Sequence, residues 1–122
     1  MNIDQLITVC VSLCQAALAG GKAVEAYKKK MLSETEVELL RAAAQDGQFH
    51  LMSVNEIPGS WVRVGRNTNF LGSEPYDPAY AAKYIEAFEC LCRRGYIRHE
   101  AGKLFMLTDS GFQKARQPKK EG

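Results

Sequence analysis

The sequence predicts an α+β domain, in which helices and short antiparallel hairpins are preceded by a long N-terminal helix. Three observations carry this. Ser33-Glu34-Thr35-Glu36 is a capping box at the head of a helical apolar stripe. From Gln48 the apolar period changes to two, the period of a strand. Asp77-Pro78 then opens a second helical stripe that closes on Arg93-Arg94-Gly95 and is followed by two short alternating runs.

Residues 1–31 come first. Ile3, Ile7, Cys10, Cys14, Ala17, Gly21 and Val24 follow alternating gaps of four and three, which lays one seam along a single helix ending near Lys28-Lys29-Lys30. The opening Met1-Asn2-Ile3-Asp4-Gln5 lacks the positive charge of a secretory leader, and Asp4, Gln5, Thr8, Ser12 and Gln15 interrupt any membrane span. Three readings stay open for this helix. It packs back on its own domain, it pairs with a second copy, or it lies on a membrane with Lys28 to Lys30 at acidic headgroups. Ile3, Ile7, Cys10, Cys14, Ala17 and Val24 are the residues expected to self-associate.

Residues 32–117 read as the domain proper. Leu32 and Val37 staple across the Ser33 cap, Leu40 and Ala44 continue the stripe, and Asp46-Gly47 ends a helix of residues 34–46. Phe49 and Leu51 then alternate with His50 and Met52, Ile57-Pro58-Gly59-Ser60 reads as a turn, and Trp61 to Val64 returns, a hairpin of residues 48–66. Asn67 to Tyr76 reads as a loop with Phe70 and Leu71 tucked beneath the domain. The helix from Pro78 buries Ala81, Ile85, Phe88, Leu91 and Cys92 and turns Ala79, Lys83, Glu86, Ala87, Cys90 and Arg94 to solvent. Ile97 to His99 and Lys103 to Leu107 flank Ala101-Gly102 as a short hairpin, Thr108 caps a last helix through Ala115, and residues 118–122 form a basic tail.

A chain of 122 residues, 46% of them hydrophobic, builds one core without disulfide staples. Neither Cys10 and Cys14 nor Cys90 and Cys92 has zinc-knuckle spacing, and on a helix positions 90 and 92 point about 200° apart. The four are read as reduced core thiols, with no metal and no cofactor, which suits a cytoplasmic location; membrane association through the first helix is the alternative. The net charge of +2 is unevenly placed, since eight Lys or Arg stand against three acids from Arg93 onward. Such a basic C-terminal third permits contact with phosphates or an acidic partner.

Leu91-Cys92-Arg93-Arg94-Gly95-Tyr96-Ile97, followed by Leu104-Phe105-Met106-Leu107-Thr108-Asp109-Ser110-Gly111, resembles the end of a winged helix-turn-helix domain. In that superfamily a helix ends in glycine, a two-stranded wing follows, and a leucine-threonine-x-x-glycine step opens the next helix. The resemblance covers residues 32–116. More distantly, the chain is similar to small bacterial proteins that carry such a domain behind an N-terminal membrane or coiled helix. In one respect it departs from the pattern. A base-reading member has a second short helix and a tight turn where this chain has the hairpin with Trp61.

The resemblance implies a regulator that touches nucleic acid, with the helix from Pro78 as the groove element. Glu86 and Glu89 oppose phosphates there, and the first turn offers no Asn, Gln or Arg to read a base. Contact is therefore expected mainly with backbone phosphates, through Lys83, Arg93, Arg94, Arg98 and Lys103, with Arg63 and Arg66 on the first hairpin. His50 and His99 sit on separate hairpins without a phosphate loop or a nucleophile motif, so the chain reads as a non-enzyme. The resulting expectation is a non-enzymatic winged-helix regulator acting as a homodimer on DNA. The alternative is an adaptor that binds a protein partner through Trp61 and Phe70 while its first helix pairs or anchors it, a membrane surface ranking last among the partners.

Overall fold

The computed structural model describes residues 2–54, 57–70 and 77–117, apart from the side chains of Ala23, Val24, Val54, Ile57 and Pro58. Its elements run α1 (Ile3–Leu18), α2 (Lys22–Lys29), α3 (Glu34–Ala43), β1 (Gln48–Val54), β2 (Ile57–Val64), β3 (Thr68–Phe70), α4 (Pro78–Arg93), β4 (Ile97–Ala101), β5 (Leu104–Leu107) and α5 (Asp109–Ala115). The class is α+β, with helices and antiparallel hairpins behind an N-terminal helix.

Both hairpins belong to one antiparallel sheet in the order β3-β2-β1-β5-β4. The join is β1 beside β5, where Gln48 faces Met106 and His50 faces Leu104. Pleating sends alternate side chains to opposite faces, so Phe49, Leu51, Val62, Val64, Phe105 and Leu107 share one face, and all are buried. The helices pack there. Phe88 of α4 stands between Phe49 and Phe105, with ring centroids 5.4 and 5.3 Å away, and burying each such ring contributes about 1.5–3 kcal/mol.

Several sequence expectations change. The first 31 residues are two helices, because Gly20 and Gly21 adopt φ of 82° and 122°, values that continue no right-handed helix and that L side chains resist. A capping box that the sequence reading missed opens α1: Asn2 Oδ1 accepts from the Gln5 amide at 2.8 Å, and Gln5 Oε1 accepts from the Asn2 amide at 3.2 Å. Ile57 to Ser60 is strand and not turn, since Ile57 already pairs with Val54. Part of the expected 67–76 loop is β3, with Phe70 opposite Val62; Leu71 to Tyr76 lie outside the described residues, as does the 118–122 tail. The helix at Ser33 ends at Ala43, three residues short of the expected Asp46.

Thr108 shows why the leucine-threonine-x-x-glycine step is built as it is. Its hydroxyl donates to the Gly95 carbonyl at 2.9 Å and accepts from the Gly111 amide at 3.1 Å, which ties the end of α4 to the start of α5. A Cβ on Gly111 would collide with the Tyr96 carbonyl oxygen. Only glycine allows that approach.

Candidate functional site

The seven cations expected at phosphates do not form one patch. Arg94 is the sharpest correction: it is 5% exposed, and its guanidinium is enclosed by the chain itself. Nε donates to Glu36 Oε2 at 2.7 Å; Nη1 donates to the carbonyls of Tyr27 and Lys30, each at 2.6 Å; Nη2 reaches the Met31 carbonyl at 3.2 Å and Glu36 Oε1 at 3.4 Å. An arginine has five N–H donors, and all five are used. Arg94 therefore joins the end of α4 to the segment between α2 and α3, and it offers nothing to a phosphate.

The others divide between two sides. Lys83 is exposed on α4 over the rings of Tyr80 and Tyr84, and Arg93 is half-buried near that helix's end. Ala87, expected in solvent, is 4% exposed, because α4 packs against the sheet, α1 and α3. The edge it leaves exposed carries Lys83 beside Glu86. Arg98 pairs with Glu100. Arg66 and Lys103 are exposed in the β2–β3 and β4–β5 turns.

Arg63 lies on the face of the sheet opposite the core. Register places Asn69, Arg63, His50 and Leu104 in one row across four strands, with Met52, Trp61, Met106 and Arg98 on the same face by alternation. Arg63 Nε and His50 Nδ1 are both buried and have no hydrogen-bond partner among the described residues. Burial, and then the neighbouring Arg63 charge, hold the His50 imidazole below its ordinary pKa. Unsatisfied buried donors are unusual, each costing about 1–3 kcal/mol.

The expected self-association seam is internal. Cys10, Cys14 and Ala17 are buried and Ile3 and Ile7 pack against the core cluster that includes Leu6, Phe88 and Ile97; the side chain of Val24 is not among those described. Of the three readings for the first helix, α1 follows the first and packs on its own domain. Cys92 of α4 belongs to the same buried core cluster as Cys10 and Cys14, a grouping across 78 residues that the spacing of the cysteines could not show. Among the described residues no cluster is arranged to hold a metal ion.

Trp61 and Phe70, expected as anchors for a partner, are 6% and 8% exposed. The Trp61 indole donates to Asn69 Oδ1 at 2.9 Å, and Phe70 lies 4.6 Å from the Tyr84 ring. Both serve the fold. His50 and His99 sit on different strands, and His99 Nε2 lies 3.0 Å from the Gly102 carbonyl in its own turn. A feature absent from the sequence reading is a cleft where α2, α3 and α5 meet, lined by Lys28, Lys29, Lys30, Arg41 and Lys114.

No helix among the described residues is long and apolar enough to cross a membrane. No protein-family model, no curated protein and no solved structure matches the chain.

Proposed function

We propose that this protein is a non-enzymatic binding module related to winged helices, which contacts the sugar–phosphate backbone of nucleic acid through the face of its sheet opposite the core. The observation that carries this is the Arg63–His50 pair, two cross-strand neighbours whose buried nitrogens lack partners. Arg66 and Lys103 at the turns add exposed positive charge at the ends of the strands. Phosphate contacts of this kind give affinity without sequence choice. The departure already noted in the sequence supports that limit, because β2 and β3 stand where a base-reading winged helix has its second short helix.

The reading needs no pairing through the first helix, whose seam lies on the chain's own core. It also replaces α4 by the sheet as the contacting element. Titration of labelled duplex DNA at low and moderate salt, with the native chain and with Arg66→Glu plus Lys103→Glu, tests it. Both side chains are exposed, so the variant keeps its fold. Affinity should fall at least about tenfold and the salt slope should flatten by about two phosphate contacts. No binding at low salt, or binding indifferent to the charge reversal, overturns the proposal. Arg94→Glu is unsuitable as a probe because it breaks the buried ion pair.

A further inference from the structure

We infer that the cleft between α2, α3 and α5 is a docking site for an acidic peptide segment with an apolar anchor, contributed by a partner protein. The cleft measures about 800 Å³, within the range of sites that enclose a drug-sized molecule or a few side chains. It is lined by Lys28, Lys29, Lys30, Arg41 and Lys114, and among the described residues no carboxylate lines it. Among the described residues none of the five is in a salt bridge. Its floor is apolar: Leu40 and Ala115 are 2% and 8% exposed, with Leu32 and Val37 half-buried beside them.

Two other arginines fix the walls. Arg94 holds the carbonyls of Lys30 and Met31 from behind, and Arg116 Nε donates to the Ala44 carbonyl at 2.9 Å, seating α5 against the end of α3. The cations on the rim are thus mounted on segments tied down by internal hydrogen bonds, which lowers the ordering cost of binding. Like charges gathered at one concavity repel one another, and an anionic occupant relieves that repulsion.

Shape selects the class of occupant. The apolar floor lies below the cationic rim, so a flat bilayer reaches the lysines and misses Leu40, whereas a peptide side chain enters between them. Met31, 92% exposed at the mouth, supplies a flexible apolar contact suited to such a chain. This inference is independent of the sheet-face reading and uses none of its residues.

The probe is a fluorescein-labelled peptide of glutamates interrupted by two leucines, titrated into the full chain by anisotropy. Comparators are the peptide with its leucines changed to serine, the peptide with its glutamates changed to glutamine, and phosphatidylserine vesicles. The expected result is saturable binding of the first peptide, lost with either substituted peptide and weakened about tenfold or more by Arg41→Glu plus Lys114→Glu. That variant must keep the native unfolding midpoint, and Arg41→Gln plus Lys114→Gln serves if it does not. Arg66→Glu plus Lys103→Glu should leave peptide binding unchanged. Absent binding, binding indifferent to Arg41 and Lys114, equal binding of the leucine-free peptide, or preference for vesicles each overturns the inference.

Discussion

Arg94 and Arg63 are two arginines that the sequence places in the same class, and the fold treats them in opposite ways. Around Arg94, α4, α2 and the head of α3 close until every N–H has an acceptor and the carboxylate of Glu36 lies at 2.7 Å. At Arg63, on the face of the sheet away from the core, Nε is buried and has no hydrogen-bond partner among the described residues. The difference teaches that the disposition of donors, more than formal charge, tells a structural arginine from one awaiting a ligand. A guanidinium whose five donors are satisfied internally is a fastener. One with a buried donor left over is held in a state that a ligand improves.

The sharpest way to break this comparison is Arg94→Met. It leaves the Glu36 carboxylate buried without its cation and frees three carbonyls, and removing one partner of a buried pair costs about 3–5 kcal/mol. Urea unfolding should show a loss of that order. Arg94→Lys should recover little of it, because an ammonium cannot span Glu36 and three carbonyls in one plane. A loss below about 1 kcal/mol would place Arg94 among ordinary surface ion pairs.

Glu36→Gln is the milder test from the other side. The glutamine oxygen can still accept from the Ser33 amide, which Glu36 Oε1 holds at 3.1 Å, so the cap survives, while its NH2 takes the place of Oε2 and leaves Arg94 Nε without that acceptor. A cost of about 1.5–3 kcal/mol is expected, the range of hydrogen bonds to charged groups. If Arg94→Met and Glu36→Gln together cost no more than the larger alone, the two act as one unit.

Arg63→Met should do the reverse of Arg94→Met. It removes an unsatisfied donor and keeps the aliphatic stem, so stability should stay within about 1 kcal/mol of native, while DNA affinity drops. A loss comparable to that of Arg94→Met would show that Arg63 is structural and that the sheet face is closed in solution.

The sequence made Glu36 legible and Arg94 illegible for one physical reason. A capping box is local, three residues from cap to carboxylate, and both of its hydrogen bonds are present. The second role of Glu36 joins it to a residue 58 positions away, and no periodicity records that. The same division runs through the fold. Thr108 and Asp77 as caps and the alternation of β1 are local patterns, and the structure has them; the stripe of α4 holds at Ala81, Phe88, Leu91 and Cys92, with Ile85 half-buried and Tyr84 and Ala87 buried as well. The join of β1 to β5, the Cys10–Cys14–Cys92 grouping and the five-cation cleft depend on which elements meet. The helix break at Gly20-Gly21 was the exception, a local signal overridden in the reading by the heptad seam around it, although two successive glycines remove the Cβ restraint that keeps a chain right-handed.

The smallest effect is also the one that tests both regions against pH. Burial and then the Arg63 charge depress the His50 pKa in the folded chain, so the unfolded chain takes up a proton near pH 6.5 that the folded chain still refuses. Stability is therefore complete above about pH 6.5 and declines as pH falls through the window below it, until His50 protonates in place. His50→Gln should abolish this dependence, and Arg63→Met should narrow it by removing the repulsion while leaving the burial. Urea midpoints between about pH 5 and 7.5 measure it, a range in which an unperturbed side chain other than histidine changes charge little. Phosphate at the pair favours protonated His50, so DNA binding should tighten on acidification through the same window, and only in chains that keep both His50 and Arg63. Binding that is flat with pH while stability still shows the histidine would mean that the unsatisfied nitrogens of the sheet face are not where the phosphates lie.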